Sequence, residues 1–141
     1  MQRKGSKRIL FLPIGFTVVL LLMGCSRMKE KEYYENIQNY ITEEAVVENI
    51  KYNEEYEYIK FRLSGIDEKY QDSDFIIKGK SVELVLENKI MDKIMPGDTI
   101  TYTSAPAYFG NSYCMPIVEL FIGETIILGF EEGYKNLLDL Y

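Results

Sequence analysis

Two cysteines and a complete lack of histidine limit the chemistry that this chain can perform. Among its 141 residues the only thiols belong to Cys25 and Cys114. Without histidine, the sequence excludes Ser-His-Asp and Cys-His catalysis, HExxH zinc sites and most catalytic zinc arrangements. Cysteine is among the most buried residue types, and Cys114 has no histidine to activate it. We therefore interpret Cys114 as a small buried residue in preference to a reactive thiol.

The segment before Cys25 has the three parts of a secretory signal. Its first eight residues carry four basic side chains: Arg3, Lys4, Lys7 and Arg8. They precede 16 uncharged, mostly apolar residues that end at Gly24. A basic start, an apolar run and a small residue before the cleavage point are typical of exported proteins. An uncleaved membrane anchor needs about 20 apolar residues, and this run is shorter and contains Pro13, so we favour a cleaved signal.

The residues Leu22-Met23-Gly24-Cys25 resemble the lipobox of bacterial lipoproteins. In that family the cysteine receives diacylglycerol through a thioether, and the signal peptide is cleaved before it. The resemblance implies that residues 1–24 are a lipoprotein signal peptide and that Cys25 is lipidated. It also implies anchoring of the mature protein to the extracytoplasmic face of the cell membrane, where two or three acyl chains hold firmly.

The charge of the mature chain argues against nucleic acid as a partner. Residues 25–141 contain 12 basic and 22 acidic side chains, a formal charge of −10. A surface of this sign is repelled by phosphate backbones. A length of 117 residues corresponds to one domain with one modest core. Nothing in the composition calls for a cofactor.

The apolar pattern predicts a mainly β domain at residues 33–141, preceded by a charged tether at 25–32. Steps of three and four residues predict an N-terminal helix at 33–44, and the tail at 131–141 predicts a C-terminal helix. Alternating apolar residues and turn signals predict short strands. These lie at residues 45–52, 56–63, 75–77, 81–87, 99–104, 117–122 and 125–128, with a connector at 88–95. The order is that of a small OB-like barrel of five to six strands.

Four short runs resemble a group of small lipoproteins from Gram-positive bacteria that have no assigned activity. The runs are Pro96-Gly97-Asp98-Thr99-Ile100-Thr101-Tyr102, Ser104-Ala105-Pro106-Ala107-Tyr108-Phe109-Gly110, Met115-Pro116-Ile117-Val118 and Phe130-Glu131-Glu132-Gly133-Tyr134. The resemblance implies an envelope location and an OB-like domain, and it supplies no catalytic residue. The first strand departs from the pattern, because Glu43, Glu44 and Glu48 stand where small or apolar residues are expected.

The loop at 105–113 is the candidate ligand-binding segment. It combines the aromatic side chains of Tyr108, Phe109 and Tyr113 with the polar side chain of Asn111. Rings that stack on a ligand face, next to groups that hydrogen-bond its edge, suit a carbohydrate or a peptide. The alternative is that these rings plug one end of the barrel and serve packing only.

An acidic loop is the other candidate site. It contains four carboxylates: Asp67, Glu68, Asp72 and Asp74. Phe75 and Ile76 occupy positions where a calcium loop needs an oxygen ligand and a glycine, so we expect a solvated charged loop and no metal. Paired carboxylates would be needed for a hydrolase or an enzyme accessory subunit, and a structural spacer is a further alternative. We expect a non-catalytic module that binds an envelope protein or a wall glycan.

Overall fold

The computed structural model describes residues 27–108 and 113–141. Its helices and strands, in chain order, are α1 (residues 27–35), β1 (Ile41–Asn53), β2 (Tyr58–Ser64), β3 (Asp74–Lys78), α2 (Lys80–Glu87), α3 (Ile90–Lys93), β4 (Thr99–Ser104), β5 (Ala107–Tyr108), β6 (Tyr113–Ile122), β7 (Thr125–Leu128) and α4 (Phe130–Leu138). The signal segment, Cys25, Phe109 and Asn111 lie outside the described residues.

Five strands close into a barrel. Their order is β3-β2-β1-β4-β6, and β3 then pairs with β6 to complete the circle. All neighbours are antiparallel except β3 and β6, where Asp74 lies opposite Cys114 in a parallel pair. The helices α2 and α3 connect the third and fourth barrel strands, and β5 and β7 add to β6 outside the circle. The predicted OB-like barrel is confirmed.

The core fills the barrel with side chains from alternate strand positions. In β2 the side chains of Ile59, Phe61 and Leu63 are buried, whereas Lys60 and Arg62 face solvent. This is the alternation that the sequence predicts for residues 56–63. The largest fully buried side chains inside the barrel are Phe61, Phe75, Ile59, Ile77, Ile90, Ile94, Ile100, Tyr102, Met115, Leu120 and Ile127.

The prediction of a strand at 81–87 is wrong, because these residues belong to helix α2. Its buried side chains are Ser81, Val82 and Val85, which recur at helical spacing and face the core on one side. Gly79 starts the helix with a φ of 68°, a conformation that favours glycine, and so turns the chain out of β3. An alternation of apolar and polar residues over seven positions fits either element, and packing decides between them.

The boundary predicted for the N-terminal helix is also wrong. The helix α1 ends at residue 35, and the Asn36 side chain accepts a hydrogen bond from the Gln38 backbone at 3.1 Å to begin a 3-10 turn. Strand β1 then starts at Ile41, four residues before its predicted start. At its N-terminal end, α1 includes residues 27–32, which the sequence pattern assigns to the tether.

Helices α1 and α4 cover the outer face of β6. Tyr34 of α1 and Leu137 of α4 pack with Val118 in a second small core. A Cβ atom at Gly133 would lie 2.6 Å from the carbonyl carbon and 2.8 Å from the Cα of Val118, so only glycine allows α4 to lie this close. The predicted β6–β7 hairpin and C-terminal helix are confirmed. Within residues 27–108 and 113–141, no helix has the length and hydropathy needed to cross a bilayer.

Candidate functional site

Tyr108 and Tyr113 of the predicted binding loop are brought together at one end of the barrel. Strand β5 turns back onto the start of β6, which places the two residues directly opposite each other. Their ring centroids are 5.0 Å apart with an interplanar angle of 59°. Tyr108 is 58% exposed, whereas Tyr113 is half-buried. The ring of Tyr108 therefore faces solvent, and the ring of Tyr113 packs against it.

A third ring, which sequence reasoning misses, completes this stack. Tyr70 is buried, and its ring meets that of Tyr113 edge to face at 5.2 Å and 89°. The Lys69 Nζ lies 4.7 Å from the centroid of the Tyr70 ring, a distance typical of a cation–π contact. We call Tyr70, Tyr108 and Tyr113 the tyrosine platform. Its members come from segments about 40 residues apart, so no local pattern could reveal it.

The acidic loop positions Tyr70. Asp67 caps the 3-10 turn Glu68–Tyr70 by accepting a hydrogen bond from the Lys69 backbone N–H at 3.1 Å, and it forms an ion pair with the Lys69 side chain at 3.5 Å. Asp74, at the other end of the loop, forms an ion pair with Lys60. In the described part of the chain, no three acidic or cysteine side chains cluster as a metal site would require.

Tyr33 of helix α1 fixes the start of the binding loop through a hydrogen bond to Pro106. Its hydroxyl donates a hydrogen bond to the Pro106 carbonyl, and its own carbonyl accepts one from Asn39 Nδ2 at 2.8 Å. Burial raises the pKa of Tyr33, with smaller contributions from the nearby Tyr70 and Tyr113. The platform is therefore fixed on two sides, by β6 and by α1, before any ligand arrives.

A carboxylate lies at the same end of the barrel. Glu43 occupies an inward-facing, half-buried position on β1, and its Oε2 accepts a hydrogen bond from the Tyr102 hydroxyl at 3.1 Å. Burial raises the pKa of Tyr102, and the Glu43 charge raises it further. Tyr70 makes a smaller contribution to the raised pKa of Tyr102. This contact explains why an acidic residue occupies a position where the sequence pattern calls for a small or apolar one.

A groove along the outer face of β2 runs from the β1–β2 turn towards this end of the barrel. Three hollows of about 200, 270 and 270 Å³ follow one another along the strand. Lys60 and Asp74 line both the first and the second, and Arg62 lines both the second and the third. Because neighbouring hollows share their walls, they form one trough, which we call the β2 groove. Its existence depends on strand register, which sequence patterns do not show.

Cys114 lies between the platform and the groove. It follows Tyr113 in β6, lies opposite Asp74 and is half-buried. Burial raises the pKa of its thiol, although the charge of Lys78 acts in the opposite direction. A raised pKa lowers the thiolate fraction at neutral pH and with it the reactivity of the thiol.

The chain matches no protein-family model, no curated protein and no solved structure in the three comparisons. The features of the molecule that bear on its function are therefore the exposed Tyr108, the rings behind it and the adjoining β2 groove.

Proposed function

We propose that this chain is a lipid-anchored, non-catalytic binding module on the extracytoplasmic face of the cell membrane. Its ligand is a component of the envelope, a wall glycan or an envelope protein, and it binds at the tyrosine platform. The observation that carries the proposal is the ring of Tyr108, which is 58% exposed although two further rings support it. A ring that served only to plug the barrel would be buried, so its exposure favours recognition over the spacer alternative.

The platform suits a ligand with one apolar face and a polar edge. The Tyr108 ring offers a stacking surface, and its hydroxyl can donate or accept a hydrogen bond at the edge. Because Tyr113 and Tyr70 hold this ring in place, little side-chain entropy is lost when a ligand stacks on it. In OB folds generally, the loop between the fourth and fifth barrel strands belongs to the ligand-binding region, and here that loop carries Tyr108. This last support is an analogy of fold.

The anchor would hold the platform close to the membrane. Only Ser26 separates Cys25 from the helical residue 27, and α1 packs through Tyr34 on the domain itself. A diacylglycerol on Cys25 would thus connect to the folded domain with almost no spacer. The expected result of Cys25→Ser is a shift of the protein from the membrane to the soluble fraction. Mass spectrometry of the wild-type protein would show the added lipid, and an unmodified Cys25 would refute the anchor.

Site-directed photo-crosslinking in intact membranes tests the binding site. A photoreactive phenylalanine in place of Tyr108 is expected to capture an envelope protein or glycan, which mass spectrometry then identifies. The matched control has the same amino acid in place of Tyr56, which is 68% exposed in the β1–β2 turn at the other end of the barrel. Adducts that form equally at both positions, or at neither, would refute recognition at the platform.

A further inference from the structure

The outer face of the barrel between β1 and β7 carries a row of side chains that crosses four strands. Glu44 of β1 lies opposite Thr101 of β4. Thr101 in turn lies opposite Phe121 of β6, which pairs with Ile126 of β7. Ile126 is 60% exposed, Glu44 is exposed, and the other two are half-buried. A phenylalanine and an isoleucine therefore lie side by side on a face that antiparallel sheets normally give to polar residues.

A second row, one step further along the strands, holds a carboxylate in a fixed position. Thr42 of β1 and Glu119 of β6 lie on either side of Thr103 of β4. The Thr103 hydroxyl donates a hydrogen bond to Glu119 Oε2 at 2.6 Å, and the hydroxyl oxygens of Thr42 and Thr103 are 2.8 Å apart. Because Thr103 is buried and Glu119 half-buried, this hydrogen bond orients the carboxylate. We call the two rows together the β4 face.

The β4 face is acidic and has no cation of its own. Its two rows contain Glu44 and Glu119 and neither lysine nor arginine. In the described part of the chain, no basic side chain lies within ion-pair distance of either carboxylate. Helix α4 begins two residues after β7 and carries Glu131 and Glu132 in its first turn, which adds negative charge at this border. A basic partner is therefore attracted to the face, and an acidic one is repelled.

The size and the surroundings of the face favour a single helix as its partner. Four strands and two rows of outward residues cover roughly 260 Å². A stable interface buries about 800 Å² on each partner, so the face is too small for a second copy of the barrel. One helix, about 10 Å across, fits on it. Helices α1 and α4 already pack on the same outer surface at Val118, three residues before Phe121 in β6.

We propose that the β4 face binds a basic amphipathic helix of a partner protein. The inference goes beyond the function proposed above, because it assigns a second partner to a separate surface. Glu44 and Glu119 are two strands and one row apart, roughly 12 Å. Basic residues seven positions apart lie on one side of a helix at a spacing of about 11 Å. Apolar residues between them would meet Phe121 and Ile126, and so small an interface predicts weak, reversible binding.

The test uses the full chain in a non-ionic detergent and three synthetic peptides of equal length. The first has lysines seven positions apart, with leucine three and four positions after each lysine and alanine elsewhere. The second has glutamate in place of lysine, and the third has the composition of the first in scrambled order. Fluorescence anisotropy of labelled peptides is expected to show binding of the first in the micromolar range, weakened by added salt, and at least tenfold weaker binding of the others. Titration with protein-free detergent corrects for the affinity of each peptide for micelles.

Variants of the protein locate the peptide on the face. Glu44→Gln and Glu119→Gln should each weaken binding of the lysine peptide by up to about fivefold, the upper range for an exposed ion pair. Ile126→Thr should weaken it by about tenfold, because this side chain becomes buried only in the complex. Glu54→Gln, which removes the same charge from an exposed position in the β1–β2 turn, is the matched control and should leave binding unchanged. Because Glu44 and Ile126 are exposed, their variants should unfold at the same urea concentration as the wild type, which separates lost binding from lost folding.

Three results would overturn the inference. The first is that the lysine peptide does not bind the wild-type protein, and the second is that the glutamate or scrambled peptide binds equally well. The third is that Glu54→Gln weakens binding as much as Glu44→Gln does, which would mean that only the overall charge attracts the peptide. Crosslinking at position 108 is unaffected by any of these results, so failure of this inference and failure of the proposed function are distinguishable.

Discussion

Replacing Gly133 by alanine should destabilise the domain, although alanine is the better helix former. In the middle of an exposed helix this change stabilises by about 1 kcal/mol. Here the new Cβ would lie 2.6 Å from the carbonyl carbon of Val118, whereas carbon atoms in contact are about 3.5–4.0 Å apart. Helix α4 would have to move outward by about 1 Å, because Val118 belongs to a central barrel strand and cannot yield.

The expected net effect is a loss of about 2 kcal/mol. Overpacking against backbone costs up to about 3 kcal/mol, and the gain in helix propensity offsets about 1 kcal/mol of it. For a domain of this size, that loss lowers Tm by roughly 8 °C. The assay is thermal and urea unfolding followed by circular dichroism. Lys135→Ala, at an exposed position of the same helix, is the control and should change stability by less than about 0.5 kcal/mol.

A Gly133→Ala variant as stable as the wild type, or more stable, would refute the packing of α4 on β6. The result also bears on the site, because α1 and α4 cover the outer face of β6 and leave the face of β1, β2 and β3 open. If α4 did not lie on β6, the outer face of β6 would be uncovered too, and the face that carries the β2 groove would no longer differ from it in this respect.

Three further predictions concern the rings and the thiol. Tyr108→Ala should lower the unfolding free energy by at most about 1 kcal/mol, whereas Tyr113→Ala should lower it more because its ring packs on Tyr70; urea titration of both compares them. Burial raises the pKa of Tyr34 and Tyr102 above the ordinary 10.0. Above pH 10 the unfolded state loses these protons while the folded state keeps them, so stability is complete below pH 10. It then falls by about 1.4 kcal/mol per pH unit for each tyrosine. Urea unfolding at pH 9 and pH 11 measures the decline, and Tyr102→Phe should make it smaller without removing it, because burial also raises the pKa of Tyr33, Tyr34 and Tyr40. The raised pKa of Cys114 should make its alkylation by iodoacetamide at pH 8 at least several-fold slower in the folded protein than in urea. Peptide mass spectrometry measures the two rates, and equal rates would contradict the burial of this thiol.

The sequence predicts the barrel because most strands carry an unambiguous alternation. Ile59, Phe61 and Leu63 show one buried face, and the Gly123-Glu124 turn marks the β6–β7 hairpin directly. Helix α2 shows where such reasoning fails: Val82 fits both a strand and a helix, and only its packing with Val85 against the core selects the helix.

The site is only partly predictable for a related reason. Tyr108 and Tyr113 lie in one loop whose composition marks it as a recognition segment. Tyr70 joins them only after the barrel has formed, because its segment is far from theirs in the chain. The β2 groove likewise depends on the pairing of β2 with β3, which brings Asp74 within ion-pair distance of Lys60. Local patterns identify candidate residues, whereas tertiary pairing decides which of them meet.

The parallel pairing of β3 with β6 has a consequence for how the chain folds. Neither the first hundred residues nor the last forty contain both strands, so the barrel cannot close during the synthesis of its N-terminal part. Until Met115 emerges to lie opposite Phe75, two sheet edges remain open to other chains. Closure through such a distant contact makes folding slow compared with that of helical domains of similar length. In the export proposed above, an open barrel would keep the chain unfolded while it crosses the membrane, and the folded domain would form only after both strands have passed.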